Sequence, residues 1–265
     1  MPRSPDRSPE TSRFLRTLPS APGVANEDAV AADRTVAVLL DGAGIPARYR
    51  AGCRHSVAWF SHALARHLLD ALTDQATPMR AALAAAITEV RSQHETGCDL
   101  EAGSPSATVV AVRRTSDALE HLVLSDSSLY LTAPGGQVTR RTDARLDDVR
   151  ERAGSAEEIE ALRNHPGCFW VARYEPEAAD HALVGCTPLA DLQCISLVSD
   201  GVTRAVDMLG LLDDAGLATA CSTPDGTAEL LATIRATEQE RRAHGTLPAR
   251  KTHDDATVLT WTLAT

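Results

Sequence analysis

Strand-like and helix-like segments come in pairs along this chain, and that pairing narrows its possible architectures more than any other feature. Residues 29–32 and 35–40 are short apolar runs split by Asp33-Arg34, the pattern of a hairpin. Residues 55–73 place Val57, Phe60, Leu64, Leu68 and Leu72 at every third or fourth position, which predicts an amphipathic helix. A second helix is expected from Pro78 through Leu83, Ile87 and Val90, stopping at Gly97. Strands follow over 107–112, 119–125 and 128–132, then a turn at Pro134-Gly135-Gly136. Residues 143–164 read as helical, and 169–172 and 182–184 are too short to assign. Residues 194–199 read as a buried strand, 202–212 and 227–242 as helices, and 256–263 as the last strand. A doubly wound parallel sheet needs strict strand–helix alternation. Pairs of each favour antiparallel sheets with helices stacked outside them.

The 265 residues suffice for one large core. No linker or repeat divides them, so residues 13–265 are expected to form one domain. Residues 1–12 are expected to be a flexible arm that leads into a first strand near 14–18. Aromatic residues make up only 3%, so the core must rest on Ala, Leu and Val. The formal charge of −10 gives no global attraction for nucleic acid or an anionic membrane. No apolar run approaches the ~20 residues of a membrane span, and the N-terminal segment lacks the apolar core of a secretory signal. The cysteines at 53, 98, 168, 186, 194 and 221 include no C-x-x-C pair. Their scatter argues against a zinc knuckle and reads as small buried apolar residues in a reducing, cytoplasmic compartment. The nine histidines are scattered; His55 and His62 fall on one expected helix without a third ligand at metal spacing.

Chemistry concentrates at the acidic positions. Glu27-Asp28, Asp41, Asp126, Asp200 and Asp254 each sit at the end of an expected strand or in a tight turn beside one. Strand ends meet at one edge of a sandwich, so these carboxylates can converge. Converging carboxylates repel; a bound cation removes the repulsion. Hard oxygen ligands without a His/Cys cluster suit Mg²⁺ or Mn²⁺. Gly42 after Asp41 is expected to open the backbone angle and free its carbonyl.

The order of these motifs resembles the metal-dependent type 2C serine/threonine protein phosphatase family over nearly the whole chain, from Asn26 to Val258. The matching stretches are Asn26-Glu27-Asp28-Ala29, Asp41-Gly42-Ala43-Gly44, the turn with Thr108, Ser125-Asp126-Ser127, Ser199-Asp200-Gly201, and Asp254-Asp255-Ala256-Thr257-Val258. The resemblance implies an α+β fold, an α-β-β-α sandwich of two antiparallel sheets flanked by helices. It implies two divalent cations, Mn²⁺ or Mg²⁺, with Asp41 bridging them and the Gly42 carbonyl on one. Asp200 and Asp254 would hold the other, and Asp28 would complete the first ion's shell. Strand alternation sends Glu27 and Asp28 to opposite faces, and Asp28 is preferred. Asp126 is expected at a third metal or an ordered water, and His253 either behind Asp254 or as a plain loop residue. The implied reaction is hydrolysis of phosphoserine or phosphothreonine in proteins by a metal-activated water.

Three departures from the family pattern stand out. Residues 20–25 contain no arginine where the family grips the substrate phosphate; Arg13, Arg16, Arg48 and Arg54 are candidate replacements. Ala43 carries no group to protonate a leaving group, and Ile45 replaces a glycine. Ser125 replaces the glycine of Gly-Asp-Ser. These departures keep a second reading open: an inactive pseudophosphatase that acts as a regulatory binding module. Neither the substrate nor the oligomeric state is legible in the sequence.

Overall fold

The computed structural model describes residues 12–43, 51–94, 97–249 and 251–263. The expected arm, apart from Ser12, lies outside them, as do Gly44, Ile45 and Arg48.

Among the described residues, ten strands form two five-stranded sheets, antiparallel at every pairing. The first sheet runs β1 (Ser12–Leu18), β10 (Ala256–Thr262), β9 (Cys194–Val198), β6 (Ser128–Thr132), β7 (Val138–Arg141). The second runs β2 (Ala29–Ala32), β3 (Val36–Leu40), β4 (Val109–Arg114), β5 (Ala118–Leu124), β8 (Leu183–Pro188). Helices α1 (Val57–Thr73) and α2 (Met79–Ser92) cover the second sheet. Helices α3 (Arg145–Arg152) and α4 (Ala156–Ala161) pack with Phe169 and Val171 in a small separate cluster, called the flap below. The first sheet is covered by α5 (Asp200–Asp207), α6 (Asp214–Ala220) and α7 (Pro224–Ala243).

The four layers follow from side-chain alternation. Along β3, Val36, Val38 and Leu40 pack against α1 and α2, whereas Ala37 and Leu39 pack between the sheets. Both faces are apolar because both are covered, so the strand reads as a continuous hydrophobic run. Leu129, Leu131, Ile195, Leu197, Leu259 and Trp261 meet Ala37, Leu39, Val110 and Val112 from the other sheet. Caps set the helix starts: Ser56 accepts from the Trp59 amide and Thr223 from the Gly226 amide.

The expected elements recur with small shifts, and three differ in kind. The 143–164 helix is two short helices, broken at Gly154 and restarted by the Ser155 cap. Strand β7 and helix α6 went unseen. The first has only four residues, and the second is an Ala-rich segment of seven capped by Asp213.

The cysteines depart from the sequence reading. Cys194 and Cys221 are buried as expected, but Cys186 is exposed. Cys53 and Cys98 come together with His55 and His94, so the scatter in sequence hides a cluster in space. His55 precedes α1 and does not share its exposed face with His62.

Candidate active site

The space between the sheets changes from apolar to polar at one end. The step after Leu39 on the inner face of β3 is Asp41; before Val110 on β4 it is Thr108; before Val30 on β2 it is Asp28. On β10 the inner-face series Trp261, Leu259 continues to Thr257 and Asp255, and on β9 Ile195, Leu197 continues to Ser199. A period-two pattern that buries a core must present the following residues at the mouth of the same layer. That mouth is stitched by short bonds. Thr108 and Ser127 share a hydroxyl hydrogen bond of 2.6 Å, and Ser199 Oγ accepts the Thr257 amide at 2.9 Å.

Asp41, Gly42, Asp126, Asp200 and Asp254 line a cleft of about 500 Å³ at this mouth. Asp28 lies just inside, 5% exposed. Asp200 opens α5, and its amide donates to Asp41 Oδ2 at 3.1 Å. Asp254 accepts from Arg204 at 2.6 Å, and Lys251 stands 3.4 Å away. Glu27 instead presents its amide to Asp255 Oδ2 at 2.8 Å. Asp255, which also accepts the Ser20 amide, ties β1's end to β2's start.

Gly42 owes its identity to crowding, a correction to the expectation of an open backbone angle: its φ is not in the left-handed region. A Cβ there would fall 2.5 Å from Val57 Cγ1 and 2.6 Å from Glu27 Cβ. His253 does not touch Asp254. Its Nδ1 meets Glu238 at 2.7 Å, and the fully buried Glu238 in turn holds Arg204 at 2.8 Å, which holds Asp254.

Burial and mutual repulsion act strongly on the acids. Burial, then Asp126 and Asp254, push Asp200 up to about 7. Burial pushes Asp28 up to about 7; the nearby Thr257 and Ser199 hydroxyls oppose the shift without completing a hydrogen bond to either oxygen. Asp41 is raised well above the carboxylate range, by burial first and then by Asp200, Asp28, Asp254 and Asp126. A cation fits this set: both oxygens of Asp28 are buried without a hydrogen-bond partner, and four further carboxylates act on one another across the cleft.

The cleft also carries Arg150, Arg163, Arg204 and Lys251, none of which the sequence singled out. Arg163 is held by Glu160 and Ser106, and Arg204 by Glu238 and Asp254. Arg150 is half-exposed, 3.2 Å from both Asp126 and Asp147. The described arginines proposed from the sequence lie elsewhere. Arg13 stacks over Trp261 and donates to the Arg34 carbonyl, Arg16 is on the edge strand β1, and Arg54 is exposed beside Gly97. One signal was available: Arg204 follows Asp200 by one helical turn, which puts both on one face of α5.

The sequence profile described as protein phosphatase 2C matches residues 20–244. The chain belongs to that family. Its fold is similar to the Mycobacterium tuberculosis serine/threonine phosphatase PstP/Ppp, with a TM-score of 0.60 and 19% identity over 96% of this chain and 99% of that one. The serine/threonine phosphatase Stp1 from Staphylococcus aureus gives 0.60 at 14% identity, covering 99% and 98% of the two chains. The catalytic domain of PstP in complex with two manganese ions gives 0.57 at 19% identity, covering 96% and 99%. No curated protein sequence matches the chain. At these identities the likeness establishes the α-β-β-α sandwich and nothing finer.

Proposed function

We propose that this protein hydrolyses phosphoserine or phosphothreonine in protein substrates, using two divalent cations, Mn²⁺ or Mg²⁺. The observation that carries the reading is Asp28: a buried carboxylate with both oxygens unpartnered, beside the strongly perturbed Asp41. Asp41, the Gly42 carbonyl, Asp28, Asp200 and Asp254 would hold the ions, with Asp126 near a third. When bound, the ions supply an acidified water at neutral pH and charge neutralisation on the phosphoryl oxygens.

The chain's own residues do the rest. The α5 amide fixes one oxygen of Asp41 and so orients the carboxylate. Glu238 anchors Arg204, and Arg204 fixes Asp254. Arg150 takes the role of the missing phosphate-binding arginine. Its guanidinium stands half-exposed on the cleft wall, and a planar fork of donors matches phosphate geometry. Leu146, Phe169 and Val171 give the flap side of the cleft an apolar surface against the substrate chain. A reducing, cytoplasmic setting is part of the same proposal, and none of the six cysteines is in a disulfide.

The test is phosphate release from a phosphothreonine peptide with Mn²⁺, Mg²⁺ or neither. Metal-dependent release supports the reading. Tight Mn²⁺ binding with no release from phosphopeptides or aryl phosphates would replace it with the regulatory module.

A further inference from the structure

Outside the lining of the acidic cleft, four soft ligands converge. Cys53 and His55 lie just before Ser56, the cap of α1. His94 follows the end of α2, and Cys98 comes four residues later. The two helices are antiparallel neighbours joined by a short loop, so the start of one and the end of the other share a side of the molecule.

The distances are those of a tetrahedron's edges. Cys53 Sγ is 3.4 Å from His55 Nδ1 and 3.3 Å from His94 Nδ1. Cys98 Sγ is 3.7 Å from Cys53 Sγ and 3.6 Å from His55 Nδ1. All four ligand atoms lie within 4.8 Å of one another. Tetrahedral zinc with ordinary bond lengths requires edges of about 3.8 Å between sulfurs and about 3.5 Å between sulfur and nitrogen.

Hydrogen bonding does not explain the cluster. A thiol offers one proton and two lone pairs, yet Cys53 Sγ faces four groups: two imidazole nitrogens, the Cys98 sulfur and the His55 amide, which donates to it at 3.4 Å. The surroundings are built. His55 stacks on Trp59 at 4.1 Å, and His94 packs edge-on against both rings. The Gly52 carbonyl accepts the Asp99 amide at 2.7 Å, and a Cβ on Gly52 would sit 1.8 Å from the Asp99 carbonyl oxygen. The two ligand-bearing loops are thus clasped at a distance only glycine permits.

We propose that Cys53, His55, His94 and Cys98 form a structural zinc site that staples the start of α1 to the end of α2. Two thiols release their protons to solvent on binding, so two thiolates and two neutral imidazoles bring the site to zero net charge. Four protein ligands leave no open position, which makes the ion structural and not catalytic. Soft S₂N₂ ligands select zinc over the hard cations suited to the carboxylates. The staple bears on the cleft mechanically, because Val57 at the start of α1 abuts Gly42.

The test uses the full chain purified under reducing conditions. Elemental analysis is expected to find one zinc per chain. Cobalt(II) exchanged into the site is expected to give intense visible bands and thiolate-to-metal charge transfer. Both are lost in Cys53→Ser and Cys98→Ser, with binding weakened beyond the about 10–100-fold that outer-partner changes cost. Both persist in Asp41→Asn and in the exposed-thiol control Cys186→Ser. If the serine variants do not fold, His94→Cys serves instead: it retains the metal and strengthens the charge-transfer band. Zinc-free reduced protein whose cobalt form lacks tetrahedral bands overturns the proposal. So does a Cys53–Cys98 disulfide in freshly isolated protein. The inference is independent of the phosphatase reading, since a catalytically dead chain that holds zinc keeps it and an active chain without zinc removes it.

Discussion

The cleft and the thiol–imidazole corner both gather ligands from separated segments, yet they are opposite in construction. The cleft sets five acids against one another, leaves the Asp28 carboxylate without a hydrogen-bond partner, and stays open to solvent on one side. The corner uses four groups of low charge, one stacked on Trp59 and one packed edge-on against it, at spacings that already close a tetrahedron. One arrangement keeps room for a substrate at the expense of metal-free stability. The other fills every position and serves only the fold. Site-level strain of the first kind is what a reaction requires; a staple needs none.

The contrast breaks most visibly at Asp41. Asp41→Asn is expected to lower metal-dependent phosphate release by about 10³-fold or more, because it removes the carboxylate on which, in the proposed function, both ions would converge. The same change is expected to raise the melting temperature of protein dialysed free of Mn²⁺ and Mg²⁺ by at least about 3 °C, since it removes a buried carboxyl whose ionisation burial and its acidic neighbours oppose. A ligand change in the corner is expected to do the reverse to stability. Scanning calorimetry on Asp41→Asn and Cys98→Ser side by side checks both signs. A destabilised Asp41→Asn would mean that the α5 amide bond outweighs the repulsion.

Arg150 tests the substrate end of the cleft. Arg150→Ala is expected to lower kcat/KM on a phosphopeptide by about 10–100-fold, the scale of one charge-assisted pair to phosphate. Manganese affinity, followed by calorimetry, is expected to change little. Arg150→Lys should recover only part of the loss, because an ammonium lacks the planar fork. If Arg150→Ala leaves kcat/KM intact, Lys251 becomes the phosphate contact to examine.

A smaller effect comes from pH. Asp28 and Asp200 titrate near 7 in the folded chain, against about 3.8 for an ordinary aspartate. Folded protein therefore keeps protons that the unfolded chain has released. The stabilisation is complete below about pH 4 and declines as pH rises through about 7. Melting temperatures of Mn²⁺- and Mg²⁺-free protein are expected to fall between pH 5 and 8 by several degrees, and saturating Mn²⁺ to flatten the profile. The corner contributes no such slope while zinc is bound. A flat profile in the ion-free protein would show that the aspartates relax apart.

These two regions also differ in what the sequence discloses. The cleft acids were legible because each flanks a strand, and strand alternation is a local rule: Asp41 comes two residues after Leu39 on β3, and Asp28 two before Val30 on β2. The layer architecture was legible for the same reason. Arg150 was not, because it enters the cleft from α3 in the flap, and nothing local relates it to Asp126 twenty-four residues earlier. The corner escaped because its pairs, Cys53-x-His55 and His94-x₃-Cys98, are split by two whole helices. Only the length of the loop between α1 and α2, which makes them antiparallel, brings the pairs to one side. A search for C-x-x-C spacing does not capture that geometry.

Ser125 offers the finest adjustment of the cleft. It occupies a φ of 69°, a region where a Cβ is crowded and glycine is not. The type 2C pattern has glycine at this position. Ser125→Gly is therefore expected to stabilise the protein by about 0.5–1 kcal/mol, less the weak bond from Ser125 Oγ to Asp126 Oδ1 at 3.3 Å. Urea denaturation resolves a change of that size. Losing that bond also frees Asp126 to turn toward Arg150, 3.2 Å away, so a change in KM without a change in kcat would accompany the gain. A destabilised Ser125→Gly would show that the Asp126 contact, and not the backbone angle, decides which residue stands at this turn.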